Sequence, residues 1–168
     1  MKKRLILFLF IIFNCLSVVA QINDNKIRLS VLKKGITNRT FIFGKWTKEA
    51  NTETHLKYLG SVTTVKGKTY KIMTSVWYWG LSHRATSRVL VFTKYNHYVG
   101  EYYVSSVYDI PDKLADGKLI FKNDDNPDCD KSVVTVIDLT QGIPKQVYLK
   151  CKGDYGDLYS FQATNNVD

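Results

Sequence analysis

The chain has 168 residues, of which 45% are hydrophobic and 23% charged, with only 3 Pro and a formal net charge of +9. This composition excludes disordered, collagen-like and low-complexity chains. A domain of this length buries roughly two-thirds of its unfolded surface, so it forms a core without metals or many disulfides.

Residues 1–20 have the pattern of a secretory signal peptide. A basic n-region at positions 2–4 precedes an apolar stretch from Leu5 to Phe13 and small residues up to Ala20. We expect cleavage after Ala20 and export to the periplasm or out of the cell. The apolar stretch is too short for a transmembrane helix, so we expect no stable membrane insertion. Cys15 leaves open a lipoprotein alternative, in which its thiol is acylated.

Residues 21–168 are predicted to form a single β-rich domain. Turn residues recur throughout, and the runs between them are rich in Val, Ile, Thr, Tyr and Phe. We predict an all-β fold: one antiparallel meander-type barrel or sandwich of about 8–10 short strands, with at most one or two short helices. The predicted strands are Ile27–Leu32, Phe41–Trp46, Leu56–Val65, Thr69–Trp79, Arg88–Thr93, Tyr98–Val107, Lys118–Lys122, Ser132–Leu139, Lys145–Cys151 and Asp157–Phe161.

Two short helices and two tight turns are predicted between these strands. Thr47–Lys57 can hold one helix, and Pro111–Gly117 has Pro near its start and Gly at its end, the order typical of a short helix. Lys66–Lys68 is predicted to be a tight turn, and Lys94–His97 a four-residue hairpin loop.

The motif Gly44-Lys45-Trp46 ends the predicted strand Phe41–Trp46. It resembles the G-x-W at the start of the first barrel strand in the lipocalin family, and about eight predicted strands follow it. The resemblance implies a barrel whose floor is closed by Trp46 and whose interior holds one small apolar ligand.

The candidate binding residues lie in the most aromatic segment of the chain. In a strand, Trp77 and Trp79 point to the same face. Either the strand is covered on both faces, or these rings form an exposed platform. His83, Arg84 and Arg88 follow and supply hydrogen-bond donors and fixed positive charge that suit carboxylate or phosphate. We therefore predict a ligand site at these five residues.

The two cysteines of the mature chain are predicted to form a disulfide. Cys129 and Cys151 are the only thiols after residue 20, in a chain expected to be exported. They flank an apparent hairpin around the turn at residues 141–144, which would bring their backbones together. Two buried free thiols, or a reactive cysteine, are the alternatives.

We expect no metal and no cofactor. His55, His83 and His97 show none of the short spacings of zinc sites. The acidic stretch 123–130 alternates oxygen ligands as calcium loops do, but Cys129 stands where an EF-hand needs Gly, and no Glu stands at the twelfth position. A looser calcium site stays open as an alternative.

Catalytic patterns are weak, so the sequence favours a non-enzymatic role. Ser82 beside His83 is not a triad, because neighbouring side chains of an extended segment point apart, and no G-x-S-x-G motif is present. A histidine acting with Glu49, Glu53 or Glu101 could serve acid–base chemistry on an anionic polymer, but no spacing selects it.

Charge divides unevenly along the mature chain. Basic side chains exceed acidic ones by 11 between residues 21 and 100, whereas acidic ones exceed basic ones by 5 from residue 101 onward. If the halves segregate in space, the protein has one positive and one negative face; if their strands interleave, the asymmetry averages out.

We therefore expect an exported, non-enzymatic binding module that recognises a protein, as an inhibitor or immunity-type partner, or an envelope polymer such as an anionic glycan. No nucleic-acid partner is expected, and the sequence predicts no oligomeric state. The alternatives are a lipocalin-like carrier of a small apolar ligand and a hydrolase acting on nucleic acid or anionic polysaccharide.

Overall fold

The computed structural model describes residues 24–49 and 52–164. The predicted signal peptide and its cleavage point after Ala20 lie outside these residues. Residues 24–34 form an α-helix, α1, and Val107–Asp109 form one turn of 3-10 helix. The strands are β1 Thr40–Lys45, β2 Thr52–Thr63, β3 Thr69–Trp79, β4 Arg84–Thr93, β5 Tyr98–Val104, β6 Lys113–Ala115, β7 Lys118–Lys122, β8 Val134–Asp138, β9 Gln146–Lys152 and β10 Tyr155–Ala163.

The strands form two antiparallel sheets. The larger sheet has the order β1-β2-β3-β4-β5-β10-β9, and the smaller has the order β6-β7-β8. Strands β1 to β5 follow one another as a meander, joined at the predicted turns Lys66–Lys68 and Lys94–His97. The predicted all-β antiparallel fold is therefore confirmed, and it is a sandwich with a helix added to the outer face of its larger sheet.

Of the two predicted architectures, the sandwich forms and the barrel does not. Strands β1 and β9 are the two ends of the seven-stranded order, so the larger sheet does not close on itself. Trp46 directly follows β1, and its indole Nε1 donates a hydrogen bond of 2.9 Å to the carbonyl of Gly80 in the β3–β4 turn. The ring thus braces one end of an open sheet, and the barrel floor implied by the lipocalin resemblance does not exist.

Both faces of the larger sheet are partly buried. One face packs on the smaller sheet and the other packs on α1, so alternate residues along each strand enter two separate cores. The inter-sheet core includes Leu59, Ile72, Val91, Tyr102, Leu119, Phe121 and Leu149. The core beneath the helix includes Val31, Leu32, Leu56, Met73, Leu90 and Phe92.

The segment Ile27–Leu32, predicted as a strand, is helical. Ile27 and Val31 are four residues apart and therefore lie on one face of a helix, where both pack in the core beneath α1. Arg28 Nη2 lies 2.5 Å from Asp24 Oδ2, also four residues away. Because the apolar run is short, its composition alone does not distinguish a strand from a helix.

The two predicted helices are also wrong. Thr47–Lys57 contains a turn and the start of β2, which pairs with β1 and β3. Pro111–Gly117 contains β6 and a turn in which Asp116 and Gly117 have φ values of 50° and 74°. Two consecutive positive φ angles are the geometry of a tight hairpin turn, so this pair connects β6 to β7 and ends no helix.

The disulfide between Cys129 and Cys151 is confirmed, but the hairpin that suggested it is wrong. Strand β8 pairs with β7, whereas β9 pairs with β10, so the segments flanking the turn at residues 141–144 belong to different sheets. The disulfide therefore joins the loop before β8 to the last strand of the larger sheet. Within the described residues, no helix is both long enough and apolar enough to cross a membrane.

Candidate functional site

The candidate site lies on the face of the larger sheet that carries α1. Trp77 and Trp79 point to the same side as Met73, which packs beneath the helix. Near the end of β3 the helix no longer covers this face, and Trp77 remains 38% exposed. The strand is thus covered on both faces at Met73, as the first alternative expects. At its end it forms a partly open aromatic platform, as the second alternative expects.

The two indoles of the platform are held in a fixed arrangement. Their ring centroids are 5.7 Å apart and their planes differ by 24°, so Trp77 and Trp79 stack on each other. Trp79 Nε1 donates a hydrogen bond of 3.1 Å to Thr86 Oγ1 on the next strand. Because each ring covers one face of the other, the surface offered to a ligand is the outer face of the pair, and Trp77 is the more exposed ring. The fixed arrangement also loses little side-chain entropy when a ligand binds.

Two arginines from β4 stand beside the platform. Arg84 is opposite Trp79 in the strand register, and its guanidinium carbon lies 5.6 Å from the centre of that ring. Arg88 is four pairs further along on the same face, opposite Ser75. Arg84 is exposed at the surface, whereas Arg88 is half-buried deeper in the cleft, so a ligand would contact the two guanidinium groups at different depths below the surface.

A chain of contacts orients Arg88. Its Nε lies 3.0 Å from Glu101 Oε1, and the hydroxyl of Tyr98 donates a hydrogen bond of 2.7 Å to Glu101 Oε2. Its guanidinium carbon is also 5.7 Å from the centre of the Tyr103 ring. Burial is the main reason why the pKa of Tyr98 is raised, and the bond to Glu101 raises it further. The buried Nε has no acceptor in hydrogen-bond geometry, so Arg88 is held by an ion pair and a ring contact.

A cleft opens between the platform and the described end of α1. Its volume is about 620 Å³. Trp77 and Arg88 line it together with hydroxyl groups from β2 and β3. Two acidic residues, Asp24 and Glu53, also line it, so aromatic surface and charges of both signs meet in one concavity. The lining residues are Asp24, Ile27, Phe43, Gly44, Thr52, Glu53, Thr54, Ser75, Trp77 and Arg88.

His83 does not join the other four predicted residues. It ends the turn that begins at Gly80 and has a φ of 52°, an uncommon value for a residue with a side chain. Its ring lies 4.7 Å from that of Tyr78 with only 17° between the planes, and 4.4 Å from that of Trp46. Tyr78 points to the face opposite Trp77 and Trp79, so the turn directs His83 away from the platform.

A second polar cluster, which the sequence did not predict, lies on the opposite face around Glu53, His55 and Tyr78. His55 Nε2 and Glu53 Oε1 are 2.5 Å apart, and the backbone N–H of Trp46 donates to Glu53 Oε2 at 3.1 Å. These two hydrogen bonds, that of His55 first, lower the pKa of Glu53. Burial raises the pKa of Tyr78, whose ring meets that of His55 edge-on. The histidine and glutamate considered for acid–base chemistry thus pair here, away from Arg84 and Arg88.

The acidic stretch 123–130 is organised by its own turns. Asp130 Oδ1 accepts hydrogen bonds from the backbone and the hydroxyl of Ser132, and these bonds lower the pKa of Asp130. Asn126 Oδ1 accepts from the backbone of Asp128. Among the residues that the structure describes, no group of three or more His, Cys, Asp or Glu side chains is placed to hold a metal ion.

Several residues of the candidate site were not predicted. Glu101 and Tyr103 lie two positions apart in a strand that the sequence predicted. This spacing was the one sequence signal that the two side chains share a face. The register that brings them beside Arg88 is a property of the folded sheet.

Comparison with known proteins gave no match: no protein family fits the chain, and no curated protein or solved structure is significantly similar to it.

Proposed function

We propose that the protein is an exported, non-enzymatic binding module that recognises an acidic polysaccharide of the cell envelope. The observation that carries this proposal is the stacked pair Trp77 and Trp79, partly open on a sheet face, with Arg84 and Arg88 on the neighbouring strand. Flat indole rings stack on sugar rings, and guanidinium groups pair with carboxylates in a two-pronged geometry. An acidic sugar chain presents both chemistries in every unit.

The charges of this face support an anionic ligand. The strand residues that project beyond α1 include exposed basic side chains, whereas the carboxylate of Glu101 is already bound by Arg88 and Tyr98. The exposed basic residues are Lys45, Arg84, Lys150 and Lys152. A positive field raises the local concentration of a polyanion and increases its association rate at low ionic strength.

Export is part of the proposal. The basic and apolar pattern of residues 1–20 predicts a signal peptide, and the disulfide between Cys129 and Cys151 is typical of proteins that fold outside the reducing cytosol. An envelope polysaccharide is a ligand that a protein in that location meets.

The proposal is tested by titrating the mature chain with polygalacturonate and with a neutral glucan of similar length, following tryptophan fluorescence and heat of binding. We expect the acidic chain alone to bind, and more weakly at high salt. W77A and R84A should each weaken binding by roughly tenfold, the effect of losing a residue worth about 1.4 kcal/mol. The matched controls are Y95A and K66A, an exposed aromatic and an exposed lysine in turns at the far end of the sheet.

The other interpretations correspond to different outcomes. Equal binding of both glycans, or no binding of either, refutes the proposal. Stronger binding of oligothymidylate than of polygalacturonate at the same residues would identify the polyanion as nucleic acid. Binding of a basic protein that is unaffected by W77A and R84A would move the interface to the acidic half of the chain.

A further inference from the structure

The open part of the helix-bearing face continues beyond the platform. Arg88 pairs with Tyr103 on β5, and Tyr103 is 47% exposed. Tyr102 pairs with Phe161 on β10. Because the pairing is antiparallel, the next residue of β5, Tyr103, lies opposite the preceding residue of β10, Ser160. Ser160 pairs in turn with Gln146 on β9, the last strand of the sheet. A row of donor and acceptor side chains thus crosses four neighbouring strands.

On β9, two residues beyond the end of this row, the chemistry of the platform recurs. Tyr148 on β9 is 43% exposed, and its register partner Leu158 is 59% exposed. The ring of Tyr148 lies against Gly156, where a Cβ atom would come within 2.7 Å of its phenol carbon. The hydroxyl of Tyr148 donates to the carbonyl of Asp154 at 2.9 Å. Tyr148 is thus a second aromatic ring held in a fixed position.

A basic side chain accompanies this second ring as well. Lys150 is two residues after Tyr148 on β9, so the two side chains point to the same face, and Lys150 is exposed. Its register partner is Gly156, which has no side chain to cover it. The combination of ring and cation at Trp79 and Arg84 therefore recurs at Tyr148 and Lys150.

The distance between the two ends sets the size of the ligand. Four inter-strand steps separate β3 from β9 in the sheet order β3-β4-β5-β10-β9. At about 4.8 Å a step, the two aromatic positions are roughly 19 Å apart across the strands. This separation exceeds the length of a disaccharide, so one small sugar cannot touch both ends.

We propose that this face binds a stretch of several consecutive sugar units of an acidic polysaccharide, laid across the strands from Trp79 to Lys150. The inference rests on the proposed function and extends it from one platform to a track with a ring and a cation at each end. The row Arg88, Tyr103, Ser160 and Gln146 lies two residues, about 7 Å, along the strands from Trp77 and Tyr148, so it borders the track and supplies hydrogen bonds to one side of the sugar chain.

The experiment compares oligogalacturonates of two, four and six units. We expect affinity to rise at least tenfold from the dimer to the hexamer, because only the longer chain reaches both ends. Y148A and K150Q should each lower affinity for the hexamer by several-fold and leave the dimer unaffected. K150Q removes an exposed charge that also acts on the carboxylate of Asp130 and leaves the strand pairing in place, so it tests the track even if Y148A disturbs the hairpin. K66Q is its matched control.

The outcomes separate this inference from the proposed function. If dimer and hexamer bind equally, or if K150Q binds the hexamer as the wild type does, the track is refuted while the platform stands. If no oligomer binds at any length, the proposed function fails and the track fails with it. If K150Q bound no oligogalacturonate of any length, the whole site would lie at β9. That result would refute a binding site that runs from Trp79 to Lys150.

Discussion

His55 and Glu53, two residues apart on β2, are joined by a side-chain contact of 2.5 Å, and this bond is the main reason why the pKa of Glu53 lies below its usual value near 4.5. Replacing His55 by Ala should raise the pKa of Glu53 toward that value. Titration of the carboxyl carbons by NMR measures the change. Asp130 and Asp138, whose carboxylates bind Ser132 and Thr140, serve as internal controls.

The sign of the effect on stability follows from the direction of that shift. A carboxyl group with a lowered pKa in the folded state contributes stability above the pKa of the unfolded chain, and the contribution disappears as pH falls through the folded pKa. H55A should therefore unfold with a weaker dependence on pH below 4.5 than the wild type. An unchanged titration of Glu53 in H55A would mean that the bond to Trp46 alone holds its pKa down.

Asp109 has the opposite behaviour. Burial raises its pKa, and the negative charge of Asp157 raises it further, although the hydroxyl of Tyr159 donates to its carboxylate at 2.8 Å. Because the folded protein binds the proton more tightly than the unfolded chain, ionisation of Asp109 lowers stability as pH rises. Asp109→Asn should therefore raise the melting temperature at pH 7, and the gain should shrink as pH approaches 4.

The control for Asp109 is Asp154→Asn, at an exposed residue of the β9–β10 turn. It should leave the pH profile of the melting temperature unchanged. A D109N protein that melts below the wild type at neutral pH would contradict this account, since it would show that the charged form of Asp109 stabilises the fold.

The two arginines of the site should differ in their effect on stability. Arg84→Ala removes an exposed side chain, so we expect a change within about 0.5 kcal/mol. Arg88→Ala leaves the half-buried carboxylate of Glu101 without its cation and should cost about 2 kcal/mol. Urea unfolding measures both values. Equal stabilities of the two variants would show that the contact between Arg88 and Glu101 contributes nothing to the fold.

Gly100 is expected to tolerate no side chain. A Cβ atom there would come within 2.4 Å of the Gln162 carbonyl oxygen and 2.6 Å of the Phe161 ring. Because the oxygen belongs to the backbone of β10, the two strands would have to separate. Gly100→Ala should destabilise the protein by about 1–3 kcal/mol. Gly142→Ala, where no atom lies within 4 Å of the added carbon, provides a comparison for the positive φ alone.

The disulfide and Asn123 should stabilise the same junction. The Nδ2 of Asn123 lies 3.1–3.2 Å from the backbone carbonyls of Asp130, Lys150 and Cys151. Replacing both cysteines by Ser should cost about 3 kcal/mol in the chain-entropy account of a loop of this length. Asn123→Ala should cost about 1 kcal/mol. Urea unfolding should also show less than additive losses when the changes are combined, since both act on one contact region.

Sequence patterns predicted most of the larger sheet and failed where tertiary contacts decide. The run Thr69–Trp79 has the bounds of β3, because its length and its Val, Ile, Thr and aromatic content suit a strand of a sheet with two buried faces. The run Ile27–Leu32 has similar content and is helical, because it packs across the sheet and pairs with no strand. The residue content of a short run does not determine whether it pairs in a sheet or packs on one as a helix.

The site was predicted in part for the same reason. Alternation along one strand places Trp77 and Trp79 together, and β4 brings Arg84 and Arg88 beside them. Glu101 and Tyr148 enter the same face through strand pairings between distant parts of the chain, which no spacing in the sequence encodes. His83 was misplaced because a single residue with positive φ redirects its side chain at the end of the turn.

The covalent bond between Cys129 and Cys151 has a consequence for chain cleavage. The residues between them include β8 and the connection that crosses from the smaller sheet to the larger one. A protease that cuts once anywhere in this interval produces two polypeptides that remain one molecule until a reductant is added. Cleavage there would be invisible by mass on a non-reducing gel, and the nicked protein would keep both sheets attached.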